Sequence, residues 1–479
     1  MARPRLQILS DAEKEFIHEQ TLRVLEEVGV CYNTPLAIDL LAENGAQVDR
    51  ERLTAKIPRE LVARALETVP RQVLLAAREP VNDRVVGDGS LVCTTDGTAT
   101  YMMDDLTGER REGTAADLRA AMTLFDALPE IDFVWPSISP RDCHPATAGL
   151  EMAVISLEGC AKHVQDEVRT PDLVEPLLDI VQAYAGASLR ERPIYSVINC
   201  TIAPLQHDGP MTEASLALAR HGVPIFILPM VLMGTTGPMS VTGTTIVNMA
   251  ETLSAVVLLQ LAAPGCPVVS GIGSAAAEMR TGLYLCASPE VALINLYGTE
   301  MSRFYGLPVQ TSCIGADAKT IDFQAGAEAA MTGVAEALAG ADCLIAFGLL
   351  DGAQVLSPAK TVLDCEVVAM IKRLVRGDPV DEASALIDDI RDIGIGGHYL
   401  AARSTRQRYR GGELWEPRLL RRGAVGGKVS RSLVHEAAEV ARDLMATHEV
   451  APVTDEARRH ARAVIAGFAA AKGTTPLVR

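Results

Sequence analysis

At 479 residues the chain is roughly two to three times a common domain, which admits several domains or one large α/β barrel with additions and excludes a small stapled scaffold. The 44 Lys and Arg against 61 Asp and Glu leave a formal charge of −17, which repels phosphate backbones and anionic membrane surfaces, so nucleic acid is not an expected ligand. With 48% hydrophobic but only 4% aromatic residues, the core has to be built from Ala, Val, Leu and Ile, which suits a parallel sheet under Ala-rich helices.

The first 75 or so residues read as three helices. Ser10 with Glu13 makes a capping box ahead of the Phe16, Ile17, Val24, Leu25, Val28 stripe, and Gly29 ends it. Thr34-Pro35 opens the second helix and Pro58 lies at the start of the third. Asp88-Gly89 and then Asp105 to Gly108, between short β-rich runs, predict hairpin turns in a small antiparallel piece. Residues 1–113 are therefore expected to form an N-terminal helical and β elaboration.

Over residues 114–400 strand and helix patterns alternate. The expected strands are 131–138, 161–168, 193–200, 223–231, 267–273, 308–314, 343–349 and, from a weaker pattern, 392–400, with helical segments between them. Eight such units predict a (β/α)8 TIM barrel, an α/β fold. Residues 401–479 are expected to add a C-terminal loop and helices packed on the barrel. Two charge-free stretches, Gly222 to Ala250 and Thr252 to Ala277, are long enough for membrane spans, but Pro224, Pro229, Gly234, Pro264 and Pro267 break them where strands would meet helices. The N-terminus runs straight into charged helix without the apolar core of a signal peptide, and the 10 cysteines are scattered singly, so reduced thiols and a cytoplasmic location are expected.

In such a barrel the active site lies at the C-terminal ends of the strands, which directs attention to the loops that follow them. The loop after the 308–314 strand is the densest in chemistry. Asp317 and Lys319 point the same way in an extended segment, and Asp322 with Gln324 follows just before a helix. Either aspartate could hold a cation or act as a base, and Lys319 could bind a carboxylate. Equally, Asp322 would cap the helix and Asp317 would pair with Lys319. Glu278 with Arg280, and Asp351 in Gly348 to Asp351, occupy corresponding loops. No His-x-x-x-His or His/Cys/carboxylate set has metal-ligand spacing, and no G-x-S-x-G or phosphate-binding glycine motif occurs, so a protein-bound metal is not expected.

The run from Leu307-Pro-Val-Gln-Thr-Ser-Cys-Ile-Gly-Ala-Asp317 through Lys319, Asp322 and Gln324 to Glu328, together with Gly234-Thr-Thr-Gly-Pro238, Ala250-Glu251 and Gln260-Leu-Ala-Ala-Pro264-Gly265, resembles the trimethylamine methyltransferase family. The resemblance spans the chain to about residue 422. It implies a TIM-barrel methyltransferase that moves a methyl group from an amine to the cobalt of a separate corrinoid protein. The founding members carry pyrrolysine, whereas this chain has standard residues throughout, so it is similar to the branch that takes quaternary amines such as glycine betaine. It departs from the family around His398 to Thr405, where a second His close to the Thr is usual.

The chemistry of that branch suits the residues present. A quaternary ammonium leaves as a neutral tertiary amine, so displacement of its methyl needs alignment with a strong nucleophile and no general acid. The cation needs an aromatic wall or a carboxylate, for which Tyr101, Trp135, Tyr284, Phe323 and Phe347 are the aromatic candidates, and a substrate carboxylate would take Arg280 or Lys319. Asp142-Cys143-His144 begins like a cobalt-ligating motif, but Thr147 stands where that motif has Gly, so the cobalamin is expected on a partner rather than on this chain. The arginines between Arg403 and Arg422 are expected to help that partner dock, and a homo-oligomer is the expected assembly. The rival readings are a Schiff-base lyase using Lys319 and a barrel that binds a betaine or corrinoid protein without turnover.

Overall fold

Eight short parallel strands close into a ring at the centre of the computed structural model, which describes residues 5–97, 99–422 and 432–478. They are Val92–Cys93 (β1), Phe133–Val134 (β2), His163–Glu167 (β3), Tyr195–Ile202 (β4), Ile225–Leu228 (β5), Val268–Ile272 (β6), Val309–Ser312 (β7) and Cys343–Ile345 (β8). Neighbours pair in parallel from β2 round to β8, β8 pairs with β1, and a bridge between Thr94 and Phe133 closes the ring. The helices that return the chain after each strand are Ala115–Ala127 (α1), Ala148–Gly159 (α2), Val174–Ala185 (α3), Gly209–Arg220 (α4), Val241–Ala262 (α5), Pro289–Phe304 (α6), Phe323–Ala339 (α7) and Pro358–Arg376 (α8). The fold is a (β/α)8 barrel.

One strand lies elsewhere than expected. Residues 392–400 hold the end of a helix, Ile387–Ile393, and a 3-10 turn, Tyr399–Ala401, and β1 completes the barrel from within the N-terminal segment instead. A two-residue strand flanked by Gly89, Ser90, Asp96 and Gly97 is too short to show an alternating pattern. The turn at Asp88-Gly89 likewise closes no hairpin, because Arg84–Val86 pairs back onto Val73–Leu75 while β1 enters the barrel. The turn from Asp105 to Gly108 does close one, between Tyr101–Met103 and Arg110–Glu112.

The N-terminal helices begin as their caps predict. Ser10 and Glu13 form the capping box of Asp11–Arg23, Thr34 caps Pro35–Glu43, and Pro58 precedes Arg59–Thr68. All three pack on α5. This accounts for the charge-free character of α5: it is long and apolar enough to cross a membrane, yet 78% of its most apolar window is buried within the protein. Leu433–Thr447 packs on α8 and α1, and Asp455–Ala471 on α3.

Asp132, one residue before β2, is the tie at the N-terminal end of the ring. Its carboxylate accepts hydrogen bonds from the Cys93 amide (2.9 Å), Arg84 Nε (2.9 Å) and Lys372 Nζ (2.8 Å), joining β1, β2 and α8. Removing one partner of a buried pair leaves the other charge uncompensated, so Asp132→Ala is expected to cost about 3–5 kcal/mol in denaturant unfolding. A loss of under about 1 kcal/mol would show that closure does not depend on it.

Candidate active site

The C-terminal ends of the strands converge on a cavity of about 160 Å3, to which every strand or the loop after it contributes. Asp96 reaches it from beyond β1, Trp135 from beyond β2, Glu167 and Cys200 from β3 and β4, Leu228 and Met230 from β5, Gly273 from beyond β6, Ser312 from β7, and Gly352 to Gln354 from the loop after β8. Tyr284 closes it from the hairpin Ala275–Ala277/Tyr284–Leu285.

Local chemistry sets these side chains in place. Thr95 Oγ1 donates to the Trp135 carbonyl (2.6 Å) and accepts from the Trp135 amide (2.8 Å), fastening the end of β1 to the end of β2. The indole then lies flat on the backbone after Asp96. Only glycine fits at Gly97, since a Cβ there would overlap the ring. Across the cavity, Asp317 accepts the amides of Cys286 (2.9 Å) and Ala287 (3.2 Å), pinning the base of the Tyr284 hairpin.

Burial pushes the Asp96 carboxyl up to about 7 against the opposing amide of Gly97, and the nearby charge of Glu167 adds to the rise. Burial likewise lifts Asp166, the residue before Glu167, to about 7. The Cys200 thiol is held well above its ordinary value by burial and by Glu167, so it remains protonated and is a poor nucleophile.

The residues expected from the loops gather at the rim rather than in the cavity lining. Lys319 pairs with Asp351 (2.5 Å) and donates to the Asp317 carbonyl (2.9 Å), while Arg110 also pairs with Asp351 (3.2 Å) and lies over the Tyr101 ring (5.0 Å). Asp317, Lys319, Asp351 and Tyr101 are thus brought together. Asp322 caps α7 by accepting the amides of Gln324 and Ala325, and Gln324 donates to Glu328, whose other oxygen takes the amides of Asp317 and Ala318. Glu278 accepts the Arg280 amide at the exposed tip of the hairpin, apart from the others, and Phe347 is sealed in the core. Lys319 is largely exposed, unlike the desolvated amine a Schiff base requires.

Two buried histidines near the barrel have structural roles. His163 lies at the start of its strand, bonded to Ala76 O (2.8 Å) and Ser196 Oγ (2.8 Å), and His207 stacks on Tyr32 and bonds Ser254 (2.8 Å); burial lowers both to about 4. Both are neutral core groups. Two of the C-terminal arginines are engaged in ion pairs within the fold. Arg418 pairs with Glu130 ahead of β2, at the opposite end of the barrel, and Arg421 with Glu436. Asp96, Glu167 and Cys200 escaped the sequence reading. Asp96-Gly97 after a short apolar run, and the paired acids Asp166-Glu167 closing a strand, are the signals that mark them.

Residues 1–470 match the family described as trimethylamine methyltransferase (MTTB). The chain is 32% identical over 394 residues to trimethylamine methyltransferase MttB of Desulfitobacterium hafniense, covering 82% of this chain and 79% of that one. It is 30% identical over 425 residues to a glycine betaine methyltransferase of the same species, with 88% of each covered. Its fold is similar to the crystal structure of the Methanosarcina barkeri monomethylamine methyltransferase MtmB, at a TM-score of 0.54 and 12% identity, over 93% of this chain and 89% of that one.

Asp96, Asp166, Glu251 and Glu336 all hold their protons more tightly folded than unfolded, at about 7, 7, 7 and 8 against ordinary values of 3.8 and 4.5. Folding therefore takes up protons, and their stabilisation is lost as pH rises through those values. His163 and His207 act oppositely but are spent above their ordinary value of 6.5. Between pH 6.5 and 8 the Tm of the unliganded protein is expected to fall, with a shallower fall in Asp96→Asn; a rising Tm in wild type would contradict the assignment.

Proposed function

Since the chain belongs to the trimethylamine methyltransferase family, we propose that it moves a methyl group from a quaternary amine to Co(I) of a corrinoid carried by a separate protein. The observation that carries this reading is the lining of the cavity: two carboxylates, Asp96 and Glu167, beside two aromatic side chains, Trp135 and Tyr284. Carboxylates and ring faces are the groups that hold an onium ion.

The lining has no strong nucleophile of its own, because the Cys200 thiol stays protonated, so the nucleophile has to enter through the mouth. The partner's corrinoid supplies it when bound. Met239, Met279 and Leu283 stand exposed on the loops after β5 and β6, and Phe323 at the start of α7, an apolar and adaptable rim for a partner that must leave after each turnover.

Asp96 and Glu167 neutralise the ammonium while Trp135 and Tyr284 fix its position and direct one N-methyl toward the mouth. The C–N bond breaks with its electron pair remaining on nitrogen, and the departing amine is neutral. No side chain has to deliver a proton. Asp317 acts by pinning the Tyr284 hairpin, and Lys319, Asp351, Asp322 and Gln324 shape the loops behind it.

The carboxylates stabilise the bound cation, whose charge disperses as the methyl departs, so they act chiefly on substrate binding. With a reduced corrinoid protein and a panel of quaternary amines, the Co(I) absorption is expected to disappear only when both this protein and a competent amine are present. Asp96→Asn is expected to raise KM roughly tenfold, the equivalent of one lost charge contact, with a smaller effect on kcat. Measurable amine binding with no loss of Co(I) from any of several corrinoid proteins would overturn the methyltransferase reading in favour of a binding protein.

A further inference from the structure

The lining of the mouth cavity bears on which kind of quaternary amine fits it. Glycine betaine and choline share a trimethylammonium head and differ in the tail, carboxylate in one and hydroxyl in the other. Resting on the methyltransferase reading, we propose that the substrate is a small trimethylammonium-type cation with a neutral hydrogen-bonding tail, the charge pattern of choline, and not a betaine.

Among the residues lining the cavity there are two carboxylates, Asp96 and Glu167, and no lysine, arginine or histidine. A substrate carboxylate there would be desolvated beside Asp96 and beside Glu167, whose charge Arg169 already takes, and no cation in the lining would pair it. The cations in the neighbourhood are engaged elsewhere. Arg169 pairs with Glu167 (2.9 Å) from the side of a separate, neighbouring cavity, and Lys319 and Arg110 pair with Asp351 at the exposed rim. Lys360, in the first turn of α8, is buried in a pair with Asp364 (2.7 Å).

Neutral partners are present instead. The Ser312 hydroxyl and the Gln354 carboxamide line the cavity and make no side-chain hydrogen bond to the described residues. Ser312 can accept from or donate to a hydroxyl, and Gln354 offers both an oxygen and an amide. A volume of about 160 Å3 is the room of roughly five waters, which suits a trimethylammonium head with a two-carbon tail.

The test compares near-isosteres on the full-length protein. Calorimetry and Co(I) consumption are measured with choline, tetramethylammonium, glycine betaine and glycine betaine methyl ester, the last restoring a neutral tail on the betaine skeleton. Choline is expected to bind at least tenfold more tightly than glycine betaine, and the ester to recover most of that difference. Asp96→Asn and Glu167→Gln, each checked for an unchanged circular dichroism spectrum, are expected to weaken choline and to narrow the choline-to-betaine ratio. Glycine betaine binding as tightly as choline, or a ratio unmoved in both variants, would overturn the inference while leaving the methyltransferase reading intact. Choline binding with the expected preference but no Co(I) consumption would sustain the charge argument and overturn the reaction. Failure of every onium compound to bind would overturn both.

Discussion

The structure depends on the closing of a ring by one of its two shortest members. A barrel without β1 is an open sheet whose two edges, at β2 and β8, would face solvent with unpaired amides and carbonyls. β1 supplies the missing ladder with very few residues, using Val92 and Cys93 against β8 and Thr94 against β2. So little strand has little strength of its own, which explains why its surroundings are tied so heavily: Asp132 holds the amide of Cys93 from below, and Thr95 grips both the amide and the carbonyl of Trp135 above. The same closure delivers the site. Asp96 follows directly on this strand, and its carboxyl enters the cavity only because β1 runs through the centre of the molecule and not across its surface.

The electrostatics of the mouth follow from that geometry. A carboxyl buried beside another carboxylate is unfavourable in the empty protein, and the proton that Asp96 retains near neutral pH is the measure of it. Such an arrangement is costly to folding and becomes favourable when a permanent cation arrives. An onium ion cannot give up its charge by losing a proton, so it compensates the pair at any pH at which the carboxylates are ionised. A protonated amine could instead transfer its proton to Asp96, leaving two neutral groups in contact. On the proposed function the site would therefore favour fixed charge through a physical property of the ligand, without needing a contact to each of its atoms.

How far the sequence was legible follows from how many residues share each signal. The alternation of apolar runs and capped helices after residue 114 predicted the barrel, because each of those units has a helix of many residues whose period is readable. Capping boxes at Ser10 and Asp322's cap on α7 were readable for the same reason, since they follow from adjacent side chains alone. β1 was missed because two residues carry no period, and Asp96 was missed with it. Trp135 and Tyr284 were found as aromatics in a chain that has few, although composition alone could not separate them from Phe347, which is core. Arg418 and Arg421 belong to a run of arginines that sequence alone reads as a docking surface, whereas their partners Glu130 and Glu436 come from other parts of the fold and cannot be foreseen from local charge.

The segment richest in recognisable residues, Asp317 to Glu328, turns out to build a wall. Its carboxylates are consumed by backbone amides: Asp317 takes Cys286 and Ala287, Glu328 takes Asp317 and Ala318, and Asp322 takes the first turn of α7. A loop held by several charge-assisted bonds to amides is rigid, and this one sets the hairpin that presents Tyr284 to the cavity. Rigidity matters for an in-line displacement, where a shift of about 1 Å in the reacting methyl can cost on the order of a hundredfold in rate. A dense motif of this kind is thus what alignment without acid–base chemistry requires. The residues that meet the substrate need only the right charge and shape, whereas the residues that hold them must satisfy many hydrogen bonds at once, and it is the second group that leaves the longer imprint on the sequence.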